Sequence, residues 1–316
     1  MINKKSKIYI AGHKGMVGSS LVRLFQKKGY INLITRTKKQ LDLLDQSKTY
    51  AYLKKQKPDA VIIAAARVGG IHANNVYRAD FIYQNLQIQN NLIHGSYLAG
   101  VKNLIFLGSS CIYPRNCKQP IKEEYLLTGP LEQTNEPYAI AKIAGLKMIE
   151  NYNRQFNTKY LCLMPCNLYG PNDNYDLNSS HFIPALIRKF HEAKITKKES
   201  VELWGDGSPK REIMHVDDLA DSCLYFLRKP TKNSLLNIGS GEEYSIKDFA
   251  NKVAKVIKYD GNIIFDKKFP NGTPRKVLDS STANNLGWKS KILFDKKIQS
   301  IHDDFKKKQK KQLTII

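Results

Sequence analysis

Residues 7–18 read KIYIAGHKGMVG, and this stretch decides the fold. Its apolar start predicts a buried strand over 7–11, and the residues after it predict a helix over 19–28. The turn between the two contains Gly12, Gly15 and Gly18. Glycines allow a tight turn in which backbone N–H groups and the helix N-terminus reach a pyrophosphate. A plain strand-to-helix turn is the alternative, but the position directly after a strand favours phosphate binding.

Beyond this stretch, the first two-thirds of the chain alternates short apolar runs with helical patterns. Such alternation is typical of a parallel sheet with helices on both faces. Further strands are predicted over 32–35, 60–65, 101–107, 159–164 and 235–239. Further helices are predicted over 47–56, 80–99, 138–156 and 217–227. The fold class is therefore α/β, a doubly wound parallel sheet of the Rossmann type.

The character of the sequence changes after Gly170, where the turn residues Pro171-Asn172-Asp173-Asn174 begin a region of mixed short elements. We predict a domain boundary there. The first domain would hold the pyrophosphate site and comprise 1–170, with about 212–245 returning to it. The second is a smaller, C-terminal domain that would bind the substrate. It would comprise 171–211 and 246–316.

Composition and cysteine usage limit the class of protein. The chain has 316 residues, 42% of them apolar, which suits one large or two packed domains with a core. No run approaches the roughly 20 apolar residues that span a membrane, and no targeting segment is recognised. We therefore expect a cytoplasmic protein with no membrane partner. The five cysteines are an odd number without a CxxC pair, which disfavours disulfides and a bound metal.

The net charge of +23 allows two interpretations, a nucleic-acid partner or an anionic substrate and cofactor. Lysines are spread along the whole chain, with one dense cluster at 306–311. Neither zinc-finger spacing nor an RNA-binding aromatic motif accompanies them. We therefore expect anionic small molecules rather than nucleic acid, and a solvated tail at 306–311.

The residues after the second predicted strand discriminate between dinucleotides. An acidic residue there usually binds the ribose hydroxyl of NAD, whereas this chain has Thr35-Arg36-Thr37-Lys38-Lys39. Basic side chains can pair with an extra phosphate, so NADP(H) is the expected cofactor, with Lys38 and Lys14 as candidate contacts. Asp42 is a candidate contact of the adenine or a cap of the next helix.

A tyrosine and a lysine four residues apart lie on one helix face. The ammonium would lower the pKa of the phenol, which could then exchange a proton with a substrate oxygen during hydride transfer. Three pairs have this spacing: Tyr50/Lys54, Tyr138/Lys142 and Tyr225/Lys229. The second of them follows a helix-entry signal and a strand that ends in Gly108-Ser109-Ser110-Cys111. Because strand ends face the ligand crevice, Ser109, Tyr138 and Lys142 are predicted to share a site.

Several longer segments point to one family: AGHKGMVGSS, AAARVGGI, ADFIYQN, LGSSCIYP, NEPYAIAKIAG, NLYGPNDN, HFIPALIRKFHEA and GTPRKVLD. Along nearly the whole chain they resemble the GDP-L-fucose synthases, bifunctional enzymes of the extended short-chain dehydrogenase type. The resemblance implies a homodimeric 3,5-epimerase and NADPH-dependent 4-reductase that converts GDP-4-keto-6-deoxy-D-mannose to GDP-L-fucose. Ser109, Tyr138 and Lys142 would be the reductase set, and Cys111 and His181 the acid/base pair. From the residues alone, Cys111 is also interpreted as a packing residue, and His181 as a cap or surface residue.

The resemblance also implies binding residues. Besides Lys14, Lys38 and Asp42, those for the cofactor would be Gly12, Gly15, Met16, Val17, Gly18, Leu107, Gly108, Ser109, Ser110, Lys142, Pro165, Cys166, Asn167, Leu168 and His181. Those for the substrate would be Lys189, Trp204, Arg211 and Asn271, with the indole on guanine and cations on the diphosphate. Lysine replaces the family's arginine at 14, 38 and 189, which keeps the charge but loses the bidentate fork. Cys166 replaces threonine, and Asn271 replaces aspartate.

Other proteins on the same scaffold remain as alternatives. A 4,6-dehydratase would have an acidic pair after the catalytic hydroxyl, where this chain has Ser110-Cys111, so dehydration is disfavoured. Enzymes that make GDP-colitose or reduce a GDP-keto-heptose would share every motif quoted. A non-catalytic NADP-binding sensor would be expected to lack part of the Ser-Tyr-Lys set, but all three residues are present in this chain.

Overall fold

The computed structural model describes residues 2–177, 179–269 and 271–313. Its strands are β1 (Ile8–Ala11), β2 (Leu33–Ile34), β3 (Ala60–Ile63), β4 (Asn103–Leu107), β5 (Lys159–Pro165), β6 (Asn167–Tyr169), β7 (Ser200–Trp204), β8 (Lys210–His215), β9 (Leu235–Ile238), β10 (Glu243–Ser245), β11 (Asn262–Asp266) and β12 (Arg275–Lys276). Its helices are α1 (Met16–Lys27), α2 (Gln46–Gln56), α3 (Ile71–Val76), α4 (Arg78–Leu98), α5 (Glu136–Phe156), α6 (Phe182–Ile195), α7 (Val216–Arg228), α8 (Ile246–Ile257), α9 (Ser281–Asn285) and α10 (Phe294–Leu313). One-turn 3-10 helices cover Ser110–Ile112 and Glu123–Tyr125.

Strands β2, β1, β3, β4, β5 and β9 form a parallel sheet in that order. The chain leaves β1 toward β2 on one side and returns to β3 on the other. A crevice therefore opens at the carboxyl ends of β1 and β3, where such folds bind ligands. The predicted doubly wound parallel sheet is confirmed, and the strand predicted over 235–239 pairs with β5.

The first hydrophobic core surrounds this sheet. Ile8, Ile10 and Ala11 of β1 are completely buried, as are the residues of β3 opposite them. A strand covered on both faces is apolar at every position, which explains the continuous apolar run in the sequence. Each fully buried isoleucine contributes about 1.5–3 kcal/mol. The glycine turn therefore follows directly after a buried strand in the middle of the first core.

A second hydrophobic core lies among α6, α8 and α10. Strand β8 pairs with β6, β10 and β12, and β7 pairs with β11. Phe190, Phe249 and Phe294 are completely buried in this core. Leu278 and Trp288 pack in the first core, although the predicted second domain contains them. The domain boundaries themselves stay a prediction.

The lysine cluster 306–311 lies in helix α10 rather than in an irregular tail, and Lys306, Lys307 and Lys310 are exposed, as expected of a solvated segment. Lys308 donates to Asp173 O at 3.1 Å and forms an ion pair with Asp304 at 3.5 Å. Its ammonium also lies 5.2 Å from the centre of the Tyr175 ring. An apolar face earlier in α10 is buried in the second core, and the helix continues from it through the cluster.

Helices α6 and α10 meet at a histidine pair, with His191 Nδ1 2.9 Å from His302 Nε2. Burial, together with the charges of His191 and Lys306, lowers the pKa of His302 to about 4. A histidine whose pKa is lowered by folding stabilises the fold above its ordinary pKa of about 6.5, and this contribution is lost as the pH falls. We therefore expect the wild type to lose stability relative to His302→Asn between pH 6.5 and about 4.

Urea unfolding followed by circular dichroism at several pH values would measure this difference. The variant is the matched reference, because the other titrating groups are common to both proteins. If the difference in the free energy of unfolding between the wild type and His302→Asn did not change with pH, the expectation would be contradicted.

The described residues contain no helix that is both long and apolar enough to cross a membrane. Within the same residues, no group of three or more His, Cys, Asp and Glu side chains is arranged to hold a metal ion.

Candidate active site

A cavity of about 570 Å³ opens at the carboxyl ends of the parallel strands. This volume lies within the range of about 300–1,000 Å³ that is usual for ligand and cofactor pockets. All the predicted cofactor residues except Lys14 line it. The lining also includes four of the predicted catalytic residues, Ser109, Tyr138, Lys142 and His181. Motifs from distant parts of the sequence therefore meet in one cavity, although the contact of each residue with a ligand stays a prediction.

The glycines shape the turn between β1 and α1. Gly12 has φ +85°, and a Cβ there would lie 2.6 Å from the backbone nitrogen of Ala65. A Cβ on Gly18 would overlap the carbonyl group of Gly12. Gly15 is the N-cap of α1 and provides no side-chain cap, so the first N–H groups of the helix stay available to a ligand. This cradle fits the pyrophosphate of a dinucleotide.

Arg36 and Lys38 line the cavity just after β2. The Arg36 side chain donates to Thr35 O at 2.8 Å, and its guanidinium lies 5.1 Å from the centre of the Tyr52 ring. Lys14 is exposed and lies outside the lining, so the structure does not bring it to the cavity. Arg36 is a lining cation that the sequence analysis quoted but did not select.

Asp42 also lines the cavity, and its Oδ1 accepts the N–H of Leu44 at 3.1 Å. The N-cap of α2 is Asp45, whose side chain accepts the N–H of Lys48 at 3.0 Å. The interpretation of Asp42 as the helix cap is therefore wrong, and its contact with an adenine stays a prediction.

Helix α5 carries Tyr138 and Lys142 beside the end of β4. Lys142 Nζ donates to Leu107 O at 2.8 Å and lies 5.6 Å from the centre of the Tyr138 ring. The other two Tyr/Lys pairs lie outside the cavity lining. In one of them, the Tyr225 hydroxyl donates to a backbone carbonyl at 2.7 Å. The position of Ser109 at the end of a strand was therefore a correct guide to a Tyr/Lys pair that lines the cavity.

Burial sets the protonation states of this pair. It raises the pKa of Tyr138, as does the neighbouring Cys111, and it lowers the pKa of Lys142 to about 8. The sequence-based expectation that the ammonium lowers the pKa of the phenol is wrong here. Lys142 donates to Leu107 O rather than to the phenol, and burial is the largest cause of the raised pKa of Tyr138. Tyr138 is therefore a neutral phenol near neutral pH, the form that donates a proton.

Cys111 and His181 differ from each other in their surroundings. Cys111 lies in the 3-10 helix after β4 and is 7% exposed, and burial raises the pKa of its thiol. His181 faces the cavity as the N-cap residue of α6, and desolvation by the surrounding protein lowers the pKa of its imidazole. The imidazole makes no capping hydrogen bond, which removes the interpretation of His181 as a side-chain cap. Near neutral pH, the pair is therefore a protonated thiol and a neutral imidazole.

Outside the cavity lining lie the predicted substrate residues Lys189, Trp204, Arg211 and Asn271. Trp204 is 65% exposed at the end of β7 and stacks on Phe269, with ring centres 4.6 Å apart. Asn271 Oδ1 accepts the N–H of Asp206 at 2.8 Å. This hydrogen bond joins the loop after Trp204 to the loop that contains Asn271. An exposed indole with one face covered leaves the other face free to stack on a base.

Several residues that line the cavity were not predicted from the sequence, among them Arg36, Gln84, Asn172, Asp173 and Asn174. Asp173 is notable because burial raises its pKa to about 7. The turn at 171–174 was interpreted as a domain boundary and as part of a family segment, and no binding role was predicted for it. A signal was available, because the turn follows directly after β6, and residues at strand ends often bind ligands.

Known proteins similar to this chain agree with the geometry. Residues 8–239 match the NAD dependent epimerase/dehydratase family. A putative GDP-L-fucose synthase 2 of Arabidopsis thaliana is 53% identical over 292 residues, 92% of this chain and 89% of that protein. The GDP-L-fucose synthase of Escherichia coli strain K12 is 46% identical over 314 residues, 96% of this chain and 98% of that protein.

A solved structure is similar over the whole fold. The GDP-mannoheptose C4 reductase from Campylobacter jejuni with NADP bound has a TM-score of 0.89 and 41% identity, with 97% of this chain and 100% of that chain covered. The chain therefore belongs to the NAD dependent epimerase/dehydratase family, in the group that contains the GDP-L-fucose synthases.

Proposed function

We propose that this protein converts GDP-4-keto-6-deoxy-D-mannose to GDP-L-fucose, by epimerisation at C3 and C5 followed by reduction of the C4 ketone. One observation carries the proposal: Ser109, Tyr138, Lys142 and His181 line the same cavity, and Cys111 lies in the 3-10 helix that directly follows Ser109. Reduction needs a proton donor at the carbonyl oxygen, and epimerisation needs an acid and a base near the adjacent carbons. The similarity to curated GDP-L-fucose synthases supports the same assignment.

NADP(H) is the proposed cofactor. The glycine turn has the N–H groups and the space for a pyrophosphate, and the similar reductase structure holds NADP. Arg36 and Lys38 line the cavity where NAD-binding folds have an acidic residue. When bound, the nicotinamide supplies a hydride to the C4 carbonyl carbon.

Epimerisation follows from the chemistry of the ketone. The C4 carbonyl acidifies the C–H bonds at C3 and C5, because loss of either proton leaves an enolate. One group takes the proton, and a second group returns a proton to the opposite face of the carbon. Cys111 and His181 suit these roles, since at neutral pH one is a proton donor and the other a proton acceptor.

Reduction uses the residues at the ends of β4 and α5. Tyr138 donates its phenolic proton to the C4 oxygen, and Ser109 donates a hydrogen bond to the same oxygen. Lys142 is held in the cavity by Leu107 O and supplies positive charge beside the phenol as the phenolate forms. The burial that raises the pKa of Tyr138 keeps the proton on the donor until the oxygen becomes basic.

Incubation with GDP-4-keto-6-deoxy-D-mannose and NADPH in D₂O tests both activities at once. We expect GDP-L-fucose that carries deuterium at C3 and C5, identified by mass spectrometry and NMR. NADPH oxidation without deuterium at these carbons would leave a reductase only. Absence of both NADPH oxidation and deuterium incorporation would show that this keto-sugar is not the substrate.

A GDP-keto-heptose is the second candidate substrate. It is favoured by the similarity to the Campylobacter jejuni reductase, whose name states a GDP-heptose substrate. The two sugars have the same nucleotide and differ at the end of the sugar. The same assay with the two substrates in competition would rank their kcat/KM values.

Trp204 is proposed to stack on the guanine. Trp204→Ala is expected to raise KM for the GDP-sugar about 5- to 150-fold, because stacking on an aromatic side chain contributes about 1–3 kcal/mol per base. Trp204→Phe keeps a stacking ring and should have a smaller effect. The second tryptophan, Trp288, is 2% exposed, so quenching of fluorescence by GDP should come from Trp204 and disappear in the Phe variant. Unchanged quenching in that variant would contradict the assignment.

A homodimer is proposed through α4 and α5. Large apolar side chains are exposed along these neighbouring helices: Tyr83, Leu98, Ile140 and Phe156. Exposed apolar side chains on two packed helices suit an interface between subunits. Sedimentation should show a species of twice the 36.1 kDa chain mass, and a monomer at micromolar concentration would contradict the proposal.

The cytoplasm is the proposed place of the reaction. Cys111, Cys117, Cys162, Cys166 and Cys223 are free thiols, which suits a reducing compartment. Cell fractionation with an antibody against the protein would test this assignment.

A further inference from the structure

The backbone N–H of Ser109 donates to a side chain at the point where the chain leaves the parallel sheet. Strand β4 ends at Leu107, and the Gly108 N–H still donates to β5, at Leu163 O and 2.9 Å. One residue later, the Ser109 N–H donates to Met164 Sδ at 3.0 Å. A thioether is a weak acceptor, so this hydrogen bond requires a sulfur atom that is held in place.

Two features hold the sulfur of Met164 at the Ser109 N–H. Met164 is completely buried in the first core, where close packing keeps side chains in single rotamers. Gly108, the residue between β4 and Ser109, supplies the space for the thioether. A Cβ on Gly108 would overlap both Sδ and Cε of Met164. The glycine of the Gly108-Ser109-Ser110-Cys111 segment is therefore what lets the side chain of Met164 reach the next residue.

Ser109 in turn fixes the segment that contains Cys111. It is the N-cap of the 3-10 helix Ser110–Ile112. Its Oγ accepts the N–H of Cys111 at 3.5 Å, and its carbonyl oxygen accepts the N–H of Ile112 at 3.2 Å. Because the hydroxyl oxygen acts as an acceptor toward the helix, the hydroxyl proton is available to a ligand in the cavity that Ser109 lines. The backbone position of Ser109 thus decides the direction of its hydroxyl and the start of the helix that carries the thiol.

We propose that Met164 is a positioning residue for both steps of the reaction, whose thioether holds the backbone of Ser109 and, through it, the Ser109 hydroxyl and the Cys111 helix. This inference rests on the proposed function, because reduction and epimerisation are the steps that it serves. Met164 is not among the residues that line the cavity. A substitution at this position therefore acts through Ser109 and not through a contact with cofactor or substrate.

Met164→Leu tests the proposal, because it removes the sulfur and keeps an apolar side chain of similar volume, an exchange that cores usually tolerate. Met214→Leu is the matched control, since Met214 is also completely buried in the first core. The first readout is the Ser109 amide signal in ¹H–¹⁵N NMR spectra. In Met164→Leu, this proton signal should move upfield and exchange faster with D₂O, and in Met214→Leu it should not change. An unchanged Ser109 signal in Met164→Leu would overturn the proposal.

The second readout separates kcat from KM. In Met164→Leu, kcat for NADPH oxidation should fall about tenfold with KM for the keto-sugar unchanged, because a displaced catalytic group slows the reaction of substrate that is already bound. Deuterium exchange at C3 and C5 in D₂O with NADP⁺ should fall by a similar factor, since Cys111 moves with Ser109. Both rates should stay near the wild type in Met214→Leu. Normal rates in Met164→Leu would overturn the proposal, as would equal losses in the two variants.

Methionine analogues provide the rescue test. Norleucine has the shape of methionine without the sulfur, and selenomethionine keeps an acceptor atom at the same place. Replacement of methionine by norleucine during expression should lower kcat of the wild type about tenfold more than kcat of Met164→Leu, and selenomethionine should leave the wild type active. Equal losses with norleucine in both proteins would assign the effect to other methionines and overturn the proposal. If the wild type neither oxidised NADPH nor exchanged deuterium, the proposed function would fail, whereas normal rates in Met164→Leu would reject only the role of Met164.

Discussion

Tyr138→Phe should lower NADPH oxidation with the keto-sugar by about 10²–10⁴-fold, the usual contribution of a general acid. The phenol is the proposed proton donor to the C4 oxygen, and phenylalanine keeps the ring without the proton. The aromatic contact with Phe81, with ring centres 6.3 Å apart, should survive the change. Deuterium exchange at C3 and C5 should be affected far less, since it depends on Cys111 and His181. Stopped-flow absorbance at 340 nm and mass spectrometry of the sugar would measure the two steps separately.

Tyr225→Phe is the matched control. Tyr225 belongs to a pair with the same spacing on α7, and its hydroxyl bonds a backbone carbonyl away from the cavity. Loss of that hydrogen bond should cost about 1 kcal/mol of stability and leave the reduction rate unchanged. Equal losses of activity in both variants would indicate a general effect on folding and would contradict the role of Tyr138.

Cys111→Ser should lower deuterium exchange at C3 and C5 by about 10²–10⁴-fold. A serine hydroxyl has nearly the same size as the thiol but is a far weaker acid, so a buried serine cannot supply the anionic form. Reduction should continue on a 4-keto-sugar that already has the product configuration at C3 and C5. Product analysis should then show that the unepimerised substrate accumulates or is reduced without inversion.

Cys117→Ser provides the control for this substitution. Cys117 lies further along the same loop, so the substitution tests the loop without removing the proposed acid/base group. The rate of deuterium exchange at C3 and C5 in Cys117→Ser should match that of the wild type. Normal deuterium exchange at C3 and C5 in Cys111→Ser would support the interpretation of Cys111 as a packing residue. His181 would then lack the second acid/base group that the proposed epimerisation needs.

The elements of the parallel sheet were predictable because each follows a local rule. The helix predicted over 138–156 occurs as Glu136–Phe156, with its proline in the first turn, where proline is tolerated. The strand predicted over 60–65 ends at Ile63, and the residues that follow it line the cavity. By contrast, β7 and β11 were not predicted. They pair with each other across a long stretch of chain. In β7, buried Val201 and Leu203 alternate with exposed Glu202 and Trp204, a signal in the sequence that was missed.

The cavity was predictable to the extent that its residues lie in compact motifs at strand ends. For Lys14 and Arg36, motifs alone did not predict which side chain lines the cavity. Both are cations near the predicted phosphate site, and only the path of the backbone decides which of them lines the cavity.

The pairing of β9 with β5 has a consequence for biosynthesis. Cys162 of β5 pairs with Leu235 of β9, so one edge of the sheet is completed only after the ribosome has made the intervening helices and strands of the second core. At about 5–20 residues per second, that edge stays open for several seconds on the nascent chain. Open strand edges pair readily with other chains. Yield during rapid expression should therefore be limited by this interval rather than by the stability of the finished fold.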